Sequence, residues 1–195
     1  MKVFLICFIV LSIFFNTLVV CADTTIRRDE LADTVMDVYE FVTQEFSIPI
    51  SEQNTFDDVN GDVTIYGMRI LQAKCYGFMS GVGEGKFDPC GNVTRAQLSA
   101  VMFRLISRLN QEYSFTQEFN QVQISDLNNV PAWSYEACQY MVDCGIMSLK
   151  NGEFLPNECV SCDELQNIKE VIKKIYVPID DGTRIDFETF INKRQ

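Results

Sequence analysis

The sequence contains no histidine, one tryptophan and few basic residues. Without histidine, a Ser-His-Asp or Cys-His catalytic arrangement and an imidazole metal site are both excluded. The 16 lysines and arginines face 27 aspartates and glutamates, which gives a net charge of −11 at pH 7. This charge disfavours nucleic acid as a partner, because its binding depends on cations that neutralise phosphates. No pair of acids stands apart from the rest, so the sequence predicts a protein that is not an enzyme and has no cofactor or metal.

The first 22 residues carry one charge, Lys2, followed by an apolar run from Val3 to Val20. Val20 and Ala22 stand three and one residues before Asp23, which is the pattern of a signal peptide that is cut before Asp23. The run is also long enough to span a bilayer, so an uncleaved anchor is the alternative. Cleavage removes only Lys2 and changes the net charge from −11 to −12. We therefore predict a secreted, extracellular chain with no membrane segment after cleavage.

One sequence motif occurs twice. A glycine loop that ends in an aromatic residue and a proline leads into a capped apolar helix, first at 77–109 and again at 145–175. The offset is 67 residues from Phe87 to Phe154 and 68 from Gly77 to Gly145, although the cysteines of the two copies are 69 apart. A partial copy at 23–50 contains only the helix half. Repetition at a fixed period indicates that each copy is one supersecondary unit that packs against its neighbours.

The repeat predicts the domain organisation and a mainly α fold. The segments are a signal peptide at 1–22, a partial repeat (copy one) at 23–50, full repeats at 56–110 (copy two) and 124–176 (copy three), and an unassigned tail at 177–195. Apolar residues at three- and four-residue steps predict helices at 24–46, at about 65–76 and 133–144, and after the capping boxes of Thr94 and Ser161. Phe87 and Phe154 are predicted to pack each loop onto the helices.

Six cysteines remain after removal of the signal peptide, and an even number in a secreted chain suggests disulfides. Six cysteines allow 15 pairings, among which the sequence alone does not choose. Two pairs span the same loop segment in the two full copies and enclose equal lengths of chain. Our hypothesis pairs Cys75 with Cys90, Cys144 with Cys159 and, by elimination, Cys138 with Cys162. The alternative is a zinc site formed by Cys138, Cys144, Cys159 and Cys162.

The two full copies resemble S-layer homology domains. Copy two contains Phe56-Asp-Asp58-Val59, Gly77-Phe78, Gly85-Lys-Phe87-Asp-Pro89 and Thr94-Arg95-Ala96-Gln97. Copy three contains Trp133, Gly145-Ile146, Gly152-Glu-Phe154-Leu-Pro156 and Ser161-Cys162-Asp163-Glu164. The resemblance covers residues 24–176 and implies a pseudo-threefold helical assembly, with a central helix bundle and loop-bearing prongs. It also implies non-covalent binding of a cell-wall polysaccharide, often pyruvylated, in grooves between the prongs.

The resemblance also implies the site residues, because the arginine of the family's Thr-Arg-Ala-Glu motif reaches an acidic sugar. That arginine is Arg95 in copy two and Arg28 in copy one, whereas copy three has Cys162 in its place. A guanidinium matches a carboxylate bidentately, so Arg95→Ala is expected to abolish binding with little loss of fold. Trp133 is either a platform for a sugar ring or a core residue. The predicted ligand-binding set is Arg95, Thr94, Gln97, Arg28 and Trp133.

The sequence contains two further motifs and is compatible with two other functions. Asn92 begins a glycosylation sequon. The segment 58–62 places oxygen ligands as a calcium loop does, but Val63 and Arg69 stand where such a loop needs glycine and an acid. The alternatives to a polysaccharide-binding module are a module that binds a surface protein and has lost the sugar site, and a calcium-dependent docking module.

Overall fold

The computed structural model describes residues 24–44, 55–113 and 121–176 and is mainly helical, as predicted. Its α-helices are α1 (Arg28–Thr43), α2 (Gly67–Cys75), α3 (Arg95–Tyr113), α4 (Tyr135–Asp143) and α5 (Cys162–Ile175). Two short 3₁₀ turns, Leu127–Asn129 and Ala132–Ser134, precede α4. Within the described ranges, no helix is long and apolar enough to cross a membrane. The predicted signal peptide and tail lie outside these ranges.

Residues 24–27 are extended, so the prediction that the first helix includes them was wrong. The reason is a closed ring of backbone hydrogen bonds at the starts of three helices. The N–H of Ile26 donates to Val160 O at 2.9 Å, that of Val160 to Val93 O at 2.9 Å, and that of Val93 to Ile26 O at 3.1 Å. The three residues are 67 positions apart in sequence. The repeat therefore brings the equivalent residues of all three copies together.

The predicted capping box is complete at the beginning of α3 but only half formed at the beginning of α5, because the Glu164 side chain pairs with Arg95 and not with the Ser161 N–H. The Thr94 N–H donates to Gln97 Oε1 at 3.0 Å, and the Gln97 N–H donates to Thr94 Oγ1 at 3.3 Å. Ser161 Oγ accepts from the Glu164 N–H at 3.1 Å. These bonds satisfy N–H groups that a helix leaves without an internal partner. The ring and the caps together fix where each helix starts.

The helices that follow the ring bury their apolar faces against one another. α1 packs on α2, α3 and α5, and α3 also packs on α4. The loop aromatics Phe87 and Phe154 have no exposed surface, which confirms that they pack each loop onto the helices. The buried face of α1 consists of Leu31, Ala32, Val35, Met36, Val38, Tyr39 and Val42.

One aspartate in each full copy clamps the loop that contains the buried phenylalanine. Asp58 accepts from the Phe87 N–H at 2.8 Å and from the next N–H at 2.7 Å. Asp126 accepts in the same way from the N–H groups of Phe154 and Leu155, at 2.6 and 2.8 Å. Because Asp58 uses both carboxylate oxygens on the backbone, its role in this structure is to hold the loop. Among the described residues no cluster of three or more acidic or cysteine side chains is arranged to hold a metal ion.

We expect Asp58→Ala to lower the free energy of unfolding by about 1–3 kcal/mol, because it removes the acceptor of two loop N–H groups. Desolvation opposes ionisation of Asp58, but the hydrogen bonds from Phe87 and Asp88 outweigh it and lower its pKa. A depressed folded-state pKa contributes stability above the unfolded-state pKa of about 3.9, and that contribution is lost as pH falls below it. Urea unfolding at pH 7 and pH 3 should therefore show a smaller effect of Asp58→Ala at pH 3. The exposed Asp62→Asn is the control, and an equal effect at both pH values would contradict the clamp.

Candidate functional site

Arg28 is the first residue of α1, and its side chain enters the loop of copy two. Its Nε donates to the Phe87 carbonyl at 2.9 Å, and its Nη2 donates to the Ser80 carbonyl at 3.0 Å. The guanidinium carbon lies 4.7 Å from the centroid of the Phe87 ring, within the range of a cation–π contact. Arg28 therefore joins copy one to the loop of copy two.

Arg95, the first residue of α3, makes the same contacts one repeat later. Its Nε donates to the Phe154 carbonyl at 2.6 Å, and its Nη2 donates to the Ser148 carbonyl at 2.7 Å. The guanidinium carbon lies 4.9 Å from the Phe154 ring centroid. Arg28 and Arg95 each reach 59 residues ahead to their phenylalanine, so the two contacts are equivalent.

The two arginines differ in burial and in the partner of the third nitrogen, Nη1. Arg95 has no exposed surface, and its Nη1 pairs with the carboxylate of Glu164 in α5. Arg28 is half-buried, and its Nη1 has no partner among the described residues. Burial lowers the pKa of the Arg28 guanidinium, which Asp88 and Asp58 partly counter; an arginine nevertheless stays charged at neutral pH. One guanidinium is thus internally neutralised, and the other presents a free donor.

Arg28 faces a groove of about 540 Å³, which we call the Arg28 groove. Its walls come from α1, from the loop of copy two, from α3 and from the 3₁₀ turn of copy three. No lining residue is acidic, whereas two are arginines, so the groove is cationic in a chain whose net charge is −11. The lining residues are Arg28, Met79, Ser80, Gly81, Val82, Gln97, Ala100, Val101, Arg104 and Trp133.

Trp133 and Arg104 are the exposed side chains of the Arg28 groove that suit a ligand best. The residue Trp133 is 62% exposed, so it is not a core residue. Arg104 is exposed on α3 and spends one hydrogen bond, from Nη1 to the Phe78 carbonyl at 3.1 Å. An aromatic face beside two guanidinium groups offers an apolar contact and a positive charge to the same ligand.

The loop wall of the groove depends on a close backbone approach at Gly81. A Cβ atom at this position would lie 2.5 Å from the Lys86 carbonyl oxygen and 2.7 Å from Cε1 of Phe56. Only glycine leaves room for both neighbours. The Val82 N–H donates to the Lys86 carbonyl at 2.8 Å and closes the loop beside it. The close approach and the hydrogen bond together fix the position of this wall.

The structure brings together three of the five predicted ligand-binding residues. Arg28, Gln97 and Trp133 line one groove, whereas Arg95 is buried away from it and Thr94 caps α3. The sequence-based expectation was that Arg95→Ala would leave the fold largely intact. Because Arg95 is buried and paired with Glu164, we expect this change to lower the stability of the fold instead. Sequence reasoning missed Arg104. A comparison of the copies could have identified it, because copy two alone has a basic residue at this position. The positions 67 residues before and after Arg104 are Asp37 and Val171.

The structure also describes the predicted disulfide cysteines and the predicted glycosylation site, Asn92. All six cysteines of the described ranges are free thiols, so the predicted pairs Cys75–Cys90, Cys144–Cys159 and Cys138–Cys162 are not formed in this structure and stay a prediction. Desolvation raises the pKa of the buried Cys138 thiol, and the nearby Ser134 and Ser99 side chains partly counter it. Asn92 is exposed and accepts from Thr25 Oγ1 at 3.2 Å, and its glycosylation is likewise still a prediction.

Comparison with protein families supports the resemblance that the sequence motifs suggested. The S-layer homology domain model matches residues 55–99, which include the loop of copy two, both capping residues of α3 and Arg95. This match confirms the predicted family resemblance for that part of the chain. A search of the curated proteins finds no match. The matched domain is a binding domain associated with cell surfaces rather than a catalytic one.

Proposed function

We propose that this chain is a non-catalytic, extracellular module that attaches to an acidic cell-wall or surface polysaccharide through the Arg28 groove. The observation that carries the proposal is a cationic groove with an exposed tryptophan in an otherwise acidic protein. An acidic sugar combines a carboxylate with an apolar ring face, and the groove offers a partner to each. The S-layer homology match at residues 55–99 supports the same class of ligand.

The proposed architecture is a pseudo-threefold assembly of copies at 23–50, 56–110 and 124–176. The hydrogen-bonded ring of Ile26, Val93 and Val160 supports it, because each residue makes the same two contacts. In this arrangement the equivalents of Arg28 are Arg95 and Cys162. We propose the Arg28 groove as the binding site because Arg95 is already paired with Glu164, while Cys162 has no cationic group.

The experiment is co-sedimentation of the purified chain with wall polysaccharide from its source. We expect Trp133→Ala and Arg104→Gln each to weaken binding about tenfold or more, which corresponds to about 1.4 kcal/mol. Both side chains are exposed, so the variants should unfold at the wild-type urea concentration. The matched controls are Ile65→Ala, at the position in copy two that corresponds to Trp133, and the exposed Lys86→Gln. Wild-type binding by both groove variants would contradict the proposed site.

A second candidate function is binding to a surface protein. It is favoured by an exposed apolar patch before and at the start of α2, where Val63, Ile65 and Met68 are 40%, 86% and 59% exposed. Clustered exposed apolar side chains often mark an interaction surface. Under this alternative, surface attachment is lost with Ile65→Ser and Met68→Ser and is unaffected by Trp133→Ala. The proposed function predicts the opposite pattern.

A further inference from the structure

The third residue of α3 and the third residue of α5 are Gln97 and Glu164, which are 67 positions apart. We propose that Glu164 is an internal occupant of the anion site on Arg95, and that Gln97 leaves the equivalent site on Arg28 open to an external carboxylate. Among the three equivalent positions in the described residues, Arg28, Arg95 and Cys162, only Arg28 then has an open anion site. The inference deepens the proposed function, on which it rests for the identity of the external ligand.

The sites around Arg28 and Arg95 are equivalent in their contacts. Arg28 and Arg95 spend the same two nitrogens, Nε and Nη2, on equivalent carbonyl groups of the next loop. Each guanidinium also lies over the equivalent phenylalanine ring. In both cases Nη1 is then the one guanidinium nitrogen that donates to neither carbonyl group. The partner of Nη1 is therefore what distinguishes the two positions.

The side chains at the third position of α3 and α5 point to different partners. Gln97 turns back to its own cap, where Oε1 accepts from the Thr94 N–H at 3.0 Å. Glu164 instead sends its carboxylate to Nη1 of Arg95. The Glu164 residue is part-buried and its side chain is 19% exposed, so this pair lies close to the surface of the molecule. A carboxylate therefore fits beside the Nη1 atom of an arginine that is held by the next loop in this way.

The two arginine sites also differ in charge. A buried guanidinium needs a counter-charge, because neutral carbonyl groups satisfy its hydrogen bonds without neutralising it. Glu164 supplies this charge to Arg95 directly, whereas Asp88 and Asp58 counter the burial of Arg28 only in part, and among the described residues neither forms an ion pair with it. The Arg28 groove has no acidic lining residue and contains Arg104 as a second cation, whereas the residue of copy three that corresponds to Arg104 is the uncharged Val171. The open site is therefore the more cationic of the two.

These features indicate the class of ligand. A carboxylate takes the place at Nη1 of Arg28 that Glu164 takes at Arg95, and Arg104 adds a second favourable charge. The exposed face of Trp133 contacts an uncharged ring beside it. The ligand is a sugar with one carboxylate-bearing substituent, rather than a neutral sugar or a cation.

The test is calorimetric titration of the full chain with a pyruvate-ketal methyl hexoside, with the unsubstituted methyl hexoside as the neutral control. We expect wild type to bind one equivalent of the acidic probe and not to bind the neutral one. Gln97→Glu should weaken binding at least tenfold, because its carboxylate competes for Nη1 of Arg28. Glu164→Gln reproduces the arrangement of copy two, and we expect it or Glu164→Ala to bind a second equivalent.

Side-chain NMR of the arginines separates this inference from the proposed function. Gln97→Glu should shift the Arg28 signals without any ligand, and acetate should then no longer perturb them as it does in wild type. Glu164→Gln should make the Arg95 signals sensitive to acetate. These results without hexoside binding would support the internal occupant and overturn the sugar ligand. Hexoside binding by wild type that is unchanged in Gln97→Glu, with one equivalent in both Glu164 variants, would overturn the inference. Far-ultraviolet circular dichroism identifies any variant that fails to fold, and Gln97→Glu then decides the question alone.

Discussion

Replacement of Arg95 by alanine is expected to lower the free energy of unfolding by about 3–5 kcal/mol, the usual cost of removing one partner of a buried ion pair. The change leaves the carboxylate of Glu164 without its counter-charge. It also leaves the carbonyl groups of Phe154 and Ser148 without their donor. In a chain of this size the shift corresponds to a melting temperature lower by roughly 10 °C. Urea unfolding followed by circular dichroism measures it.

Two companion variants identify the cause of this loss. Arg95→Lys keeps the charge but cannot reach three acceptors in one plane, so its loss should be smaller but still clear. Arg95→Ala combined with Glu164→Gln should recover part of the stability, because the unpaired carboxylate is then absent. A free energy of unfolding for Arg95→Ala within 1 kcal/mol of wild type would show that the buried pair contributes little.

The repeat predicted much of the fold because a constant offset constrains backbone geometry. Residues 67 apart, such as Val93 and Val160, make the same ring contacts, and α3 and α5 begin at the predicted cap residues Thr94 and Ser161. The burial of Phe87 and Phe154 was predictable for the same reason. The extended segment 24–27 was missed because its one apolar residue, Ile26, was assigned to the helix that follows. The repeat contained the signal, since Ile26 corresponds to Val93, which precedes the cap of α3.

The site was harder to predict than the fold because a motif specifies a residue type and not its partner. Arg28 and Arg95 have the same local setting, yet one lines a groove and the other is enclosed. The difference depends on Glu164, which is 69 residues beyond Arg95 in sequence. Trp133 reaches the Arg28 groove from a different copy altogether. Contacts between copies therefore decide which arginine can meet a ligand.

Replacement of Phe87 by alanine is expected to lower the free energy of unfolding by about 3–5 kcal/mol, the usual cost of a phenylalanine-sized cavity. Phe87 has no exposed surface, and its ring lies 5.3 Å from that of Phe56. Its ring also lies under the guanidinium of Arg28, and its carbonyl accepts from Nε of that residue. The cavity thus opens directly beneath the arginine of the Arg28 groove, so we expect ligand binding to weaken as well.

Phe154→Ala is the matched control, because Phe154 is equally buried and lies under Arg95 in the same way. It should cost a similar free energy of unfolding but leave binding of the acidic hexoside within about threefold of wild type, at a temperature where both variants are folded. Phe87→Ala should weaken that binding at least tenfold under the same conditions. An equal loss in both variants would mean that binding follows global stability, and that the contacts of Arg28 do not hold the groove in shape. A selective loss in Phe87→Ala would instead tie binding to the position of one guanidinium, set by the loop of the next copy.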